Sequence, residues 1–251
     1  MIMKRVLFER VLPVLAAILL SLSFADAQEK GGKAVSTEYM TENELPDAAA
    51  YLPAPSKPGE PLFAGDLAYY EWSKALRATD RGRLAREDAD DALAKMVQRF
   101  EPAVGILISQ ENTPNLYRLL SKANRTASNA TRKAKKHYNR VRPFVQFSEP
   151  SGIPDSEESY AGSASYPSGH STRGWTMALI LSELLPDRSQ EILHIGYEFG
   201  TSRVIVGYHY ESDVQAARIA ASAAIAVMHS DKVFLKDMKK AKKELLRAGL
   251  R

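Results

Sequence analysis

Two of the five histidines in this sequence have neighbours that would equip them for catalysis. His209 is followed four residues later by Asp213, and on a helix that begins near Tyr210 this spacing places the two side chains one turn apart. An aspartate that accepts a hydrogen bond from Nδ1–H fixes the imidazole tautomer and leaves Nε2 free as a nucleophile or base. Structural polar pairs also use this spacing, so the hypothesis needs further residues to support it.

The second histidine, His170, belongs to the segment Y-P-S-G-H-S, which reads as the start of a helix. A helix start presents unpaired backbone N–H groups and the positive end of the helix dipole, and both favour an oxyanion. Ser168 caps the helix in this interpretation, and Gly169 lets the backbone approach a ligand closely. Capping alone would explain Ser168 and Gly169, but it does not require the histidine.

Three cations lie close to these segments in the sequence: Lys135, Arg142 and Arg203. Arginine binds phosphate oxygens through two parallel hydrogen bonds, and lysine adds a point charge. Together with two histidines and a helix start, they would bind a phosphoryl group and transfer it without a metal. We therefore predict neither a metal site nor a cofactor, although any one of these cations alone would be an ordinary surface charge.

The elements that must position these residues are predicted to be helices, because apolar residues recur at helical spacing. The predicted helices span residues 62–78, 86–100, 115–138, 170–185, 189–201, 212–229 and 234–250. Only residues 203–208 read as a strand, and residues 148–165 read as a long polar loop that shapes a binding site. The expected fold class is all-α, a single compact helical domain built around a central helix bundle.

The N-terminal region has the layout of a secretory signal peptide, with a basic start, an apolar run over 11–24 and the cleavage pattern Ala25-Asp26-Ala27. An uncleaved anchor is the alternative. We predict a signal peptide over 1–27, an extended N-terminal arm over 28–61 and a helical catalytic domain over 62–251. The predicted localisation is periplasmic. The absence of cysteine excludes a lipid-anchored lipoprotein and any disulfide framework.

Charge and hydropathy narrow the classes of partner. The net charge is +4 and the basic residues are spread along the chain, so a nucleic acid polymer is not expected. No long apolar run follows the predicted signal peptide, so stable membrane insertion is not expected either. The basic amphipathic run over 234–250 is interpreted as the solvated face of a terminal helix, with contact to an anionic surface as the alternative.

Read together, residues 135–143, 167–170 and 202–213 match the three-part signature K-x6-R-P, P-S-G-H and S-R-x5-H-x3-D. The sequence thereby resembles the bacterial class A non-specific acid phosphatases, within the type 2 phosphatidic-acid-phosphatase and vanadium haloperoxidase superfamily. The resemblance extends to G-D-L-A-Y-Y-E (65–71), A-R-E-D-A (85–89) and S-D-V-Q-A-A-R (212–218).

This resemblance implies a role for each residue at a matching position. His209 would be the nucleophile that forms a phosphohistidine, and Asp213 would orient it. His170 would protonate the leaving alkoxide and then activate the hydrolytic water. The phosphoryl oxygens would be held by Lys135, Arg142, Arg203 and the amides of Ser168 and Gly169.

The resemblance also implies a substrate class and partners. The expected activity is hydrolysis of phosphomonoesters of broad specificity, such as nucleotides and sugar or aryl phosphates, with phosphotransfer to alcohols as a side reaction. Inorganic phosphate would be the product, vanadate an inhibitor, and the protein a homodimer or larger homo-oligomer. The alternatives are a vanadate-dependent haloperoxidase that uses the same oxyanion site, a membrane lipid phosphatase, and a phosphate-binding module without catalysis.

Overall fold

Helices make up the regular secondary structure of residues 36–250, the part of the chain that the structure, a computed structural model, describes. Three single 3₁₀ turns accompany them, and no strand occurs within these residues. The all-α prediction is therefore confirmed. In chain order the helices are α1 Ala48–Tyr51, α2 Phe63–Ala75, α3 Asp80–Glu87, α4 Leu93–Gln98, α5 Glu101–Val104, α6 Pro114–Ala130, α7 Arg132–Tyr138, α8 Pro143–Gln146, α9 Glu157–Ala161, α10 Gly169–Leu184, α11 Ser189–Ile205, α12 Glu211–Met228 and α13 Lys232–Arg247.

Helix α10 lies at the centre of the bundle and packs against α6, α11 and α12, while α13 packs on the outer side of α6. The two central helices, α10 and α11, approach closely because glycines face each other across their interface. A Cβ atom on Gly196 would collide with the Ala178 side chain, and one on Gly174 would lie 2.9 Å from Phe199 Cβ. The predicted central bundle is thus present, and it holds the first turn of α10 against α11 and α12.

The predicted strand over 203–208 and the predicted helix over 86–100 are both wrong. Residues 203–205 continue α11 instead of forming a strand, and the chain turns at Gly207, whose φ is +78°. A short buried apolar run cannot be assigned to strand or helix by periodicity alone. The predicted helix over 86–100 is broken, because α3 ends at Glu87 and α4 begins at Leu93.

The break between α3 and α4 occurs at Asp88. Its carboxylate is buried and accepts hydrogen bonds from Ser202 Oγ at 2.6 Å and Arg99 Nε at 3.1 Å. These contacts tie residue 88 to α11 across the bundle, and residues 88–92 leave the helix axis. The predicted helix over 115–138 is also divided, at Thr131, and the predicted loop over 148–165 contains α9.

The described part of the predicted arm, residues 36–61, packs on the bundle and contains α1. Tyr39, Met40 and Leu45 are buried in the main apolar core, and Tyr39 donates a hydrogen bond to Asp237 Oδ2 at 3.0 Å. The predicted signal peptide over 1–27 lies outside the described residues. None of the helices within 36–250 combines the length and the apolar character that a membrane span requires.

Candidate active site

Six of the eight residues predicted to form the site line one cavity of about 280 Å³ at the N-terminal end of α10. They come from three separate parts of the chain: Lys135, Arg142, Gly169, His170, Arg203 and His209. The other two lie directly behind the cavity wall. Ser168 is fully buried as the cap of α10, and Asp213 is fully buried behind His209.

His209 stands immediately before α12, between the cavity and Asp213. Its Nδ1 lies 3.3 Å from Asp213 Oδ2, and its Nε2 lies 3.1 Å from Arg142 Nη1. The pairing arises differently from the predicted helical spacing, because Tyr210 caps α12 and Asp213 occupies the third helical position. Asp213 Oδ2 therefore reaches back to Tyr210 N (2.9 Å) and to His209 in a capping-box arrangement. With Nδ1–H donating to Asp213, Nε2 carries the lone pair.

The three predicted cations surround the same cavity. Arg142 donates to the carbonyls of Tyr208 (3.0 Å) and Ser163 (2.9 Å), and Lys135 Nζ donates to the Ala164 carbonyl at 2.7 Å. Arg203 is 3 % exposed, yet its Nε and Nη1 have no hydrogen-bond partner among the described residues. Buried guanidinium donors without partners are costly, and an oxyanion in the cavity would satisfy them.

Burial and mutual repulsion disfavour the charged form of several groups here. Burial, followed by the charge of Arg142, lowers the pKa of Lys135 to about 7. Burial and Arg142 also lower the pKa of Arg203 to about 10. The pKa of His209 lies well below its ordinary value because the ring is buried and faces Arg142, Lys135 and Arg203. The positive charges in this cavity repel one another and lower one another's pKa values. A bound anion would relieve this repulsion.

His170 occupies the second position of α10, and its Nε2 is buried without a partner among the described residues. The residue lines the cavity together with Arg203 and His209, and the backbone carbonyl of Asp88 favours the charged form of the ring. Burial, then the charges of Arg203 and Arg173, hold the pKa of His170 well below its ordinary value. Arg173 Nη2 lies 3.5 Å from His170 Nδ1 and 2.8 Å from Asp91 Oδ2.

The first turn of α10 contains the helix cap and also forms part of the cavity wall. Ser168 Oγ accepts hydrogen bonds from Ser171 N (3.3 Å) and Ser171 Oγ (2.8 Å), so its side chain is occupied by capping. Ser168 N donates to the Asp213 carbonyl at 3.0 Å, and its amide is therefore already bonded. Gly169 lines the cavity, and a Cβ there would meet nothing closer than Lys135 Cε at 3.7 Å. Of the two predicted amide donors, the geometry favours Gly169.

Sequence reasoning missed several residues that surround the predicted site. Arg140 donates a hydrogen bond to Asp213 on the side away from the cavity, and it also donates one to Asp66. Arg173, which pairs with Asp91, stands beside His170. One signal for Arg140 was available in R-V-R-P, because the residue before proline is extended and alternate residues of an extended segment share a side. Asp66 and Asp91 are separated from the three motifs by at least 44 residues; Asp66 lies in the segment 65–71 that shares the family resemblance, but nothing local links it to the site.

Metal ligands do not cluster in the described part of the chain: no group of three or more histidine, cysteine, aspartate or glutamate side chains is placed to hold an ion within 36–250. The chemical character of this cavity is instead cationic, with two imidazoles.

Comparison with known proteins identifies the class of enzyme to which this chain is similar. The PAP2 superfamily model matches residues 118–235. A non-specific acid phosphatase of Providencia stuartii is 42% identical over 207 residues, covering 82% of this chain and 84% of the relative. An acid phosphatase of Zymomonas mobilis is 41% identical over 80% of this chain and 76% of its own. A non-specific acid phosphatase of Salmonella typhimurium is 36% identical over 82% and 83%.

These matches define the class of the protein: it is a phosphatase with a helical fold of the PAP2 type. The chain belongs to the PAP2 superfamily and, within it, to the bacterial non-specific acid phosphatases. The resemblance stated from the motifs is thereby confirmed, and the comparisons do not favour the haloperoxidase alternative.

Proposed function

We propose that this acid phosphatase hydrolyses small-molecule phosphomonoesters of broad specificity through a phosphohistidine intermediate on His209. The observation that carries the proposal is the convergence of unpartnered buried groups on one cavity. His170, Arg203 and His209 line the same cavity, and Arg203 Nε and Nη1 and His170 Nε2 are buried without a hydrogen-bond partner among the described residues. A tetrahedral phosphoryl group would meet guanidinium donors, a proton donor and a nucleophile there.

In the first step the phosphate group of the ester binds among Lys135, Arg142 and Arg203. Arg142 Nη1, which donates to His209 Nε2 in the structure, is then drawn to a phosphoryl oxygen and frees the Nε2 lone pair. Nε2 attacks phosphorus while the bond from phosphorus to the ester oxygen breaks. The proton on His170 Nε2 passes to that oxygen, and the alcohol leaves.

In the second step His170, now neutral, accepts a proton from a water molecule that attacks the phosphohistidine. The bond between phosphorus and Nε2 breaks, His209 is regenerated, and inorganic phosphate is released. Asp213 favours the cationic imidazole of the intermediate, because its Oδ2 lies 3.3 Å from Nδ1. An alcohol that replaces water in this step would become phosphorylated, which is the proposed phosphotransferase activity.

Broad specificity is supported by the placement of the buried donors, which would contact the phosphoryl group and not the rest of the ester. The buried donors converge on the phosphoryl group, whereas the outer wall of the cavity consists of polar side chains such as Ser128, Arg132 and Tyr160. Nucleotides, sugar phosphates and aryl phosphates share only the phosphoryl group. We therefore propose that turnover of such esters differs mainly in the Michaelis constant.

Trapping the intermediate tests the mechanism. Wild-type enzyme quenched in alkali during turnover of a ³²P-labelled ester should carry acid-labile label on His209, and His209→Ala should carry none. His137→Ala is the matched control, since His137 is exposed and does not line the cavity. Retention of near-wild-type turnover by His209→Ala would overturn the mechanism. Activity in the presence of a chelator tests the proposed independence of metal.

Three further proposals concern inhibition and setting. Vanadate should inhibit competitively, because it adopts the trigonal geometry that the phosphoryl group has during transfer. A lack of competition with substrate would contradict this. Periplasmic localisation rests on the predicted signal peptide over 1–27, and cell fractionation tests it. A homodimer or larger assembly follows from the family resemblance, and sedimentation analysis of the purified protein tests it.

A further inference from the structure

Arg140 is a buried arginine whose guanidinium joins four parts of the chain. Its Nη1 donates to Asp213 Oδ1 at 2.6 Å and to Ser212 Oγ at 2.8 Å. Its Nη2 donates to Asp66 Oδ2 at 2.7 Å and to the Ser56 carbonyl at 3.1 Å. The side chain is 7 % exposed, so these contacts are shielded from water. Such a charge cluster is strongly affected by the removal of any member.

Arg140 and Arg142 contact opposite ends of the same histidine–aspartate pair. Val141 between them is exposed, and both arginines point inward from an extended segment. Arg142 reaches His209 Nε2, whereas Arg140 reaches the far oxygen of Asp213. The two arginines therefore have separable functions. One meets the substrate side of the imidazole, and the other holds the carboxylate behind it.

The two oxygens of Asp213 have different partners, and this division fixes the carboxylate. Oδ1 accepts from Arg140, while Oδ2 accepts from Tyr210 N and faces His209 Nδ1. Rotation of the carboxylate about its Cβ–Cγ bond would break the contact to Arg140. Arg140 thus holds Oδ2 in line with the imidazole.

Asp66, on α2, neutralises Arg140 from the opposite side. Its Oδ2 lies 2.7 Å from Arg140 Nη2 and 2.6 Å from Ser212 Oγ, and its Oδ1 accepts from Ser212 N at 2.9 Å. It therefore binds both the guanidinium and the first turn of α12. Without the Asp66 charge, the full charge of Arg140 would act on Asp213 and weaken its attraction for a cationic imidazole.

We propose that Arg140 and Asp66 are positioning residues for the nucleophile and act through Asp213. The inference rests on the proposed role of His209, whose ring becomes cationic as the bond from Nε2 to phosphorus forms. Asp66, Arg140, Asp213 and His209 form one chain of contacts, with alternating charge once the ring is cationic. This series of contacts sets the rate of phosphohistidine formation. The phosphoryl group itself is bound by the cations on the cavity side of His209.

A double-mutant cycle between Arg140→Lys and Asp213→Asn tests the proposal. Lysine keeps the charge but cannot bond Asp213 and Asp66 as a fork. In single-turnover rapid-quench experiments, Arg140→Lys should slow phosphohistidine formation by about 10- to 100-fold, while the inhibition constant for inorganic phosphate changes less than about threefold. In the Asp213→Asn background the same substitution should slow the step less than about threefold, because its effect passes through Asp213.

Arg83→Lys is the matched control, since Arg83 pairs with Glu87 on the exposed face of α3 and should leave both quantities unchanged. Equal effects of Arg140→Lys in the two backgrounds would refute action through Asp213. A parallel loss of phosphate affinity would refute the division between positioning and binding. If Arg140→Lys fails to fold, Asp66→Asn is judged by the same criteria. A wild-type enzyme without phosphohistidine would instead refute the proposed function.

Discussion

Replacement of Lys135 by methionine should make the ligand-free protein more stable at acid pH while it removes activity. Lys135 Nζ donates one hydrogen bond, to the Ala164 carbonyl, and faces the guanidinium of Arg142. Burial and that neighbouring charge lower the pKa of Lys135 from 10.5 to about 7. The cation is held where an anion is to bind, and the ligand-free fold is destabilised as a result.

The magnitude follows from the pKa of Lys135. A lowering of ~3.5 units, at ~1.4 kcal/mol per unit, sets an upper limit of about 5 kcal/mol on the cost of the charged lysine below pH 7. Partial exposure of the residue reduces this cost, and the lost hydrogen bond offsets about 1 kcal/mol of the gain. We expect Lys135→Met to gain about 2 kcal/mol at pH 5.5, which corresponds to a rise in Tm of roughly 4–8 °C.

The gain should depend on pH with a definite sign. Between pH 7 and 10.5 the folded protein binds fewer protons at Lys135 than the unfolded chain does, so the stability of the wild type rises with pH. The advantage of Lys135→Met is therefore full below pH 7 and small by pH 10.

Thermal and denaturant unfolding at pH 5.5 and pH 9.5, each with and without inorganic phosphate, measures the effect. Lys136→Met is the matched control, because Lys136 is exposed and should change stability little at either pH. Phosphate should stabilise the wild type more than Lys135→Met at pH 5.5. A variant less stable than the wild type at pH 5.5, or a difference independent of pH, would refute the reasoning.

Three further outcomes are expected. Arg173→Gln removes a charge that lowers the pKa of His170, so the alkaline limb of the pH–kcat profile should move to higher pH; an unchanged limb would contradict this. Gly196→Ala should destabilise the protein by about 1–3 kcal/mol in urea unfolding, because its Cβ would collide with Ala178, and wild-type stability would be the contrary result. Ser168→Ala should cost about 1 kcal/mol through loss of the helix cap, and a change below about 0.3 kcal/mol would argue against capping.

The sequence predicted the part of the site whose residues lie in short motifs. Arg142, His170 and His209 stand beside a proline, a glycine or a helix start, and these features constrain the local backbone enough to place a side chain. His209 and Asp213 illustrate the limit, since their pairing was expected from one helical turn and arises from a capping box. The local contact was predictable, whereas its geometry depends on where α12 begins.

The parts that were not predicted depend on long-range contacts. Asp88 interrupts an otherwise helical pattern because its two carboxylate oxygens accept hydrogen bonds from Ser202 and Arg99. Asp66 joins the site through partners 74 and 146 residues away in the chain. A single sequence carries no periodic signal for such contacts, so residues within the motifs could be predicted, whereas the roles of Asp66 and Asp88 could not.

The PAP2 match begins at residue 118, and this boundary separates two groups of residues that surround the cavity. The predicted site residues lie after it, whereas Asp66, Asp88 and Asp91 come from helices and a loop before it. The N-terminal segment therefore supplies carboxylates that pair with Arg140 and Arg173, beside Asp213 and His170, from outside the residues that the PAP2 model matches. Exchange of residues 36–117 with those of a relative should change the rate and the pH profile of the enzyme. Its affinity for inorganic phosphate should stay the same.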